Sequence, residues 1–372
     1  MTSPFRDFIL RAYLSRRSEL DGAVRGVLER GVYILGREVE LFEEEFARYL
    51  KISGSVGVAS GTDALRLALQ ALDIRTGDIV LTVSHTAVAT VAAIEMTGAS
   101  AMLVDVDPLT YTINPNIVED ALKRDVKRQI KAIIPVHLYG QSSDVSVMRT
   151  LADKYQVWMI EDCAQAQGAE WNGIKTGSWG DISAFSFYPT KNLAAVGDAG
   201  LVASHNSEIL SKVRRLREYG WGADRISLLP GINSRLDEVQ AAILRVRLKY
   251  LDEDNEKRRA IAKTYTRRIN RDDIILPFEN KSARHVFHQY VVRTSHREIF
   301  REFLMSSGVP TSIHYPVPVH LQPGFQGRVV QFGSLAFTER IASEVVSLPL
   351  SPFMTEVEVD MVCQAVQQWE PQ

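Results

Sequence analysis

An α/β architecture follows from the amino-acid sequence: a large domain with a mostly parallel sheet covered by helices on both faces, then a smaller C-terminal α+β domain. Three observations point to it. Strand-like and helix-period segments alternate through the first two-thirds of the 372 residues. The strands are apolar along their length, the pattern of strands buried on both faces. A helical pattern from 236 to about 269 then leads into a tail of short strands, one helix and a Pro-rich loop. The length is comfortable for two domains, and the boundary is placed inside that long helix, giving residues 1–245 and 246–372.

Each element has its own signal. Val39, Phe42, Phe46 and Leu50 share one helical face. Residues 55–59 form a short strand and 62–72 an Ala/Leu-rich helix. Strands at 78–83, 100–106, 131–136 and 157–160 alternate with helices at 87–96, 115–123 and 144–155. Further strands are expected at 181–187 and 200–204, then a polar stretch from 219 to 234. The C-terminal part carries a strand at 287–292, a helix at 297–306 and a Pro-rich loop at 315–323.

Composition narrows the function. The chain is 45% hydrophobic and 24% charged, as a packed core requires. A net charge of −2 without a dense Lys/Arg run argues against nucleic acid as a partner. Two cysteines, Cys163 and Cys363, make no disulfide framework and suit a reducing compartment. No signal peptide is evident at the N-terminus, and no apolar run reaches the ~20 residues of a membrane helix. A soluble cytoplasmic protein is expected, with no membrane and no metal.

Ligands of open parallel sheets bind beyond the carboxyl ends of the strands. Ser60-Gly61-Thr62 joins a strand to a helix, where free N–H groups and positive potential suit a phosphate. A plain turn with a Ser or Thr cap fits the same residues. Asp162 ends an apolar strand and needs a partner if buried; a protonated pyridine nitrogen, a salt bridge or a helix cap would each serve. Glu161, by strand alternation, should face the other way. Lys191 follows an aromatic strand and Pro189 and precedes Gly197-Asp198-Ala199-Gly200. Desolvated there, it becomes a nucleophile for carbonyls; otherwise it is an exposed loop lysine. A phosphate cradle, a buried Asp and an activatable Lys at strand ends of one sheet are the parts needed to hold pyridoxal 5′-phosphate (PLP).

On these residues the chain resembles the DegT/DnrJ/EryC1/StrS family of PLP-dependent sugar aminotransferases, which have the aspartate-aminotransferase fold (fold type I). The similarity takes in Gly31 to Gly36, Ala59 to Leu65, Pro135 to Gly140, Glu161 to Gln165, Ser186 to Asn192, Asn233 to Glu238, His314-Tyr315-Pro316 and His320 to Pro323. The resemblance implies that Lys191 carries the cofactor covalently and Asp162 keeps its ring nitrogen protonated. Gln165 would bond the ring 3-hydroxyl. Gly61, Thr62 and Ser186 would hold the phosphate, completed by Asn233 from the other subunit of a homodimer. Tyr33 and His320, and more weakly Tyr219, are expected near the sugar. One position departs from the family: Ala87 stands where a Phe or Tyr usually stacks on the cofactor ring, and His85 is the candidate substitute.

Family dehydratases replace the cofactor lysine with His, so Lys191 favours transamination. The expected reaction takes an amino group from L-glutamate to a nucleotide-linked keto-sugar, with C3 of a dTDP-3-keto-6-deoxyhexose ahead of C4 amination or a UDP-linked sugar. The other readings are a non-catalytic PLP-binding scaffold and a nicotinamide oxidoreductase, which lacks its G-x-G-x-x-G after a first strand.

Overall fold

The computed structural model describes residue 5 and residues 7–370. The leading residues on which the signal-peptide reading rests lie largely outside these. Eight strands form the main sheet, in the order Gly54–Val58, Gly200–Ser204, Ile182–Ser186, Trp158–Asp162, Ile130–Ile133, Ile79–Val83, Ser100–Val104 and Val330–Gln331. Gly200–Ser204 runs antiparallel to both neighbours; the other pairings are parallel, as expected. Val56, Val80, Leu81, Ala132, Ile160 and Val202 are fully buried, which is why these strands carry apolar residues at consecutive positions.

Helices cover both faces. Gly61–Ala71 and Ser207–Leu216 close one core, and Pro115–Arg124 with Val145–Tyr155 close another. Their starts are written locally. Ser60 Oγ accepts from Asp63 N, Asn114 caps a helix with Pro115 in its first turn, and Asp144 accepts from Val147 N. A separate C-terminal core gathers Tyr265, Tyr290, Phe300 and Trp369 around the antiparallel pair Tyr290–Arg293 and Val345–Leu348. Phe5 packs into this second core. No helix among the described residues is long and apolar enough to cross a membrane.

Several elements differ from expectation, among them a tail with three helices where one was expected: Arg297–Ser306, Ala336–Glu344 and Glu356–Gln368. The helix expected over 236–269 is two helices, Glu238–Leu248 and Leu251–Arg268; the first packs with Arg37–Leu50, the second in the C-terminal core. Periodicity alone does not see a break that keeps the apolar residues in phase. The strand expected from 287 begins at Tyr290: Phe287 has φ +43 and stacks on His285 at 3.9 Å, which turns it out of a strand. Val330–Gln331 is a further strand, and it adds to the edge of the large sheet although it lies late in the sequence.

Candidate active site

The carboxyl ends of three strands of the main sheet bring the predicted residues together. Trp158–Asp162 pairs with Ile182–Ser186, and Gly54–Val58 ends at the Ser60 turn. The backbone N–H groups of Gly61 and Thr62 have no partner among the described residues, because Ser60 Oγ takes only Asp63 N. A Cβ on Gly61 would fall 2.5 Å from Ser186 Cβ, so glycine is what lets these two strand ends meet. Two free amides facing a serine hydroxyl suit a phosphate.

Asp162 is 4% exposed. Thr90 Oγ1 donates to it at 2.8 Å and Ala164 N at 3.1 Å. Burial pushes its carboxyl up, opposed by those two donors and by the Lys191 cation. It forms no ion pair among the described residues. A buried carboxylate with lone pairs to spare fits a protonated ring nitrogen. Glu161 does face the other way: it accepts from Gly177 N, Trp179 N, Gly180 N and His137 Nε2 at 2.7–3.0 Å. Its contacts with His137 and the neighbouring Cys163 bring three potential metal ligands together, all buried, but the carboxylate is committed to these bonds.

Lys191 sits in a tight turn, its N–H on Tyr188 O at 2.8 Å. Asn192 fixes that turn: it donates to Asn255 Oδ1 at 2.8 Å and Val286 O at 3.1 Å, and its Oδ1 lies 3.1 Å from His288 Nδ1. Burial pushes the Lys191 amine down to about 8, against the pull of Asp162. His314, beside it, is held at about 4 by burial and by the lysine charge. Both effects leave a lysine surrounded by neutral imidazoles, with a basicity near working pH.

The remaining predicted residues are placed less directly. Gln165 accepts from Tyr139 N at 2.8 Å and donates to Tyr315 Oη at 2.9 Å, which leaves one amide hydrogen free. His85 is 1% exposed and meets Tyr139 edge-on, 6.0 Å between centroids. The Tyr139 hydroxyl donates to His314 O, so its oxygen accepts from His85 Nε2 at 2.7 Å, and His85 Nδ1 has no partner among the described residues. Ala87 precedes the helix Val88–Glu95 in extended conformation. His320 is buried, its Nδ1 2.7 Å from Ser84 Oγ and its Nε2 3.3 Å from Glu339. Tyr33 and Tyr219 are 50% and 41% exposed, and Asn233 is exposed, with no side-chain hydrogen bond among the described residues. None of these last four lines the cavity that Lys191 borders. Thr90 went unnoticed in the sequence; a hydroxyl one helical turn inside an apolar segment was its only signal. Tyr139 and Tyr315 lay inside quoted motifs without an assigned role.

A sequence profile described as the DegT/DnrJ/EryC1/StrS aminotransferase family matches residues 15–367. The chain is 44% identical over 366 residues to a dTDP-3-amino-3,6-dideoxy-alpha-D-galactopyranose transaminase of Aneurinibacillus thermoaerophilus, covering 98% of this chain and 99% of the relative. Its fold is similar to the crystal structure of DesV from S. venezuelae, with a TM-score of 0.93, 41% identity, and coverage of 97% and 96%. It is also similar to a Bacillus subtilis structure, ntda with bound cofactor PMP, at TM-score 0.86 and 31% identity, covering 95% of this chain and 81% of that one.

Proposed function

Given that the chain belongs to the DegT/DnrJ/EryC1/StrS aminotransferase family, we propose that it transfers an amino group from L-glutamate to C3 of a dTDP-linked 3-keto-6-deoxyhexose. Its cofactor is PLP. The observation that carries the reading is Lys191 with a lowered basicity in the field of the buried Asp162, which forms no ion pair among the described residues. The C3 and dTDP assignments are supported by the name of the Aneurinibacillus relative.

When bound, the cofactor supplies an aldehyde that exchanges amino groups and a ring that accepts the electron pair released at the donor's α-carbon. The chain's residues do the rest. Gly61 N, Thr62 N and Ser186 Oγ bind the phosphate. Asp162, oriented by Thr90 and Ala164, holds the proton on the ring nitrogen. Gln165 directs its free amide hydrogen to the ring hydroxyl. Lys191 Nζ takes the proton from the donor's α-carbon and returns it on the other side of the exchange, work that suits an amine near 8. The sugar side is assigned to Tyr33, His320 and Tyr219. Asn233 reaches the partner's phosphate site in a homodimer, a reading supported by its exposure and by exposed Val32, Tyr33 and Ile34. The same reading divides the chain into residues 1–245 and 246–372, with Phe5 crossing to the second core.

The test is spectroscopic. L-glutamate should shift the visible band of PLP-loaded protein to shorter wavelength, and the keto-sugar should restore it. Lys191→Ala should abolish both changes. A loaded protein whose band ignores glutamate, or a Lys191→Ala variant that transaminates at wild-type rate, refutes the scheme.

A further inference from the structure

The Thr90 hydroxyl that donates to Asp162 Oδ2 has a second hydroxyl behind it: Thr86 Oγ1 lies 3.0 Å from Thr90 Oγ1. All three side chains are buried, Thr86 at 2% exposed, Thr90 at 0% and Asp162 at 4%. Local structure brings the threonines together. Ala87, in extended conformation, leads into the helix Val88–Glu95, and Thr90 N donates to Ala87 O at 3.2 Å, which closes the first turn over Thr86. The direction of the bonds follows from the hydrogens available. A hydroxyl has one and a carboxylate has none. Thr90 directs its hydrogen to Asp162, so the contact between the threonines is made with the hydrogen of Thr86. Thr86 Oγ1 has no other hydrogen bond among the described residues. If Asp162 were protonated, the same chain would run the other way, from the carboxyl to Thr90 and on to Thr86. The two directions belong to two charge states. Hydrogen bonds donated to a charged form favour it, and bonds in a buried chain strengthen one another. Burial works against the charge on Asp162, and the Thr90 bond is the strongest influence in its favour. Lys191 and His137 act in the same direction, and Cys163 and Tyr315 lie in the field of the carboxylate.

We propose that Thr86 is a positioning residue for Asp162: acting through Thr90, it aims a relay of two hydroxyls at the carboxylate, which holds Asp162 ionised and keeps the shared proton on the ring nitrogen of the cofactor. Without the outer hydroxyl the carboxylate is a stronger base, and the proton between the two groups moves toward the oxygen. The proposal rests on the reading of Asp162 as the partner of that nitrogen, and it adds the residue that sets the charge of Asp162 from behind.

Nitrogen NMR of protein loaded with PLP carrying a labelled ring nitrogen tests it, because the resonance separates a protonated from a neutral ring. At neutral pH wild type should show the protonated form. Thr86→Val, which keeps the shape and loses the hydroxyl, should move the resonance toward the neutral form and weaken PLP retention about two- to tenfold, the range for one neutral hydrogen bond. Thr86→Ser should restore both. In a Thr90→Val background Thr86→Val should change nothing further, a dependence that a packing role alone does not produce. Should Thr86→Val fail to fold, Thr86→Ala takes its place. A resonance that stays at its wild-type position, or a shift of equal size with and without the Thr90 hydroxyl, overturns the proposal. A resonance that Asp162→Asn leaves unmoved would instead sink the reading of Asp162. The relay is then decided on cofactor-free protein: the infrared carboxylate band lost in Asp162→Asn must shift in Thr86→Val, and a band that stays in place overturns the relay as well.

Discussion

Only a neutral amine attacks an aldehyde, so the rate at which apo-protein takes up PLP reports the protonation of Lys191. Burial pushes that amine from 10.5 down to about 8. At pH 7 roughly one amine in ten is then neutral, against roughly one in three thousand for a solvated lysine, an advantage of about 300-fold. Stopped-flow absorbance of cofactor uptake between pH 6 and 10 should therefore rise about tenfold per pH unit at first and level off near pH 8. The sign of the Asp162 effect can be read in the same assay. Its carboxylate favours the lysine cation, so Asp162→Asn should move the midpoint to lower pH, even as the variant holds cofactor less tightly. An uptake rate that climbs without a break to pH 10 would mean that Lys191 is solvated, and the desolvation argument would be wrong. A midpoint that Asp162→Asn leaves unmoved would mean that the two groups do not share a field.

Three further outcomes are expected. Gly61→Ala puts a methyl 2.5 Å from Ser186 Cβ; about 1–3 kcal/mol of overpacking should lower the thermal midpoint and weaken PLP retention on dialysis. Thr90→Val keeps the shape but removes a donor from a buried carboxylate, at about 1.5–3 kcal/mol, so equilibrium dialysis should show PLP held roughly ten- to a hundredfold less tightly. Glu161→Ala leaves the N–H groups of Gly177, Trp179 and Gly180 without their acceptor; urea unfolding should show a loss of about 3–5 kcal/mol, and an unchanged midpoint would refute the role given to that carboxylate.

Much of this protein was legible along the chain. Strands buried on both faces favour consecutive apolar residues, and several helix starts carry Ser, Asn or Asp as caps, so both leave runs that a reader of sequence can follow. Asp162 stood out because a carboxylate has little business at the end of such a strand, and Lys191 because of the aromatic strand and Pro189 before it. Those signals are local. What the sequence could not settle depends on segments far apart meeting in space. Thr90 reaches Asp162 across 72 residues, and Tyr315 reaches Gln165 across 150. Val330–Gln331 joins the large sheet late in the chain because pairing, not pattern, makes a two-residue strand.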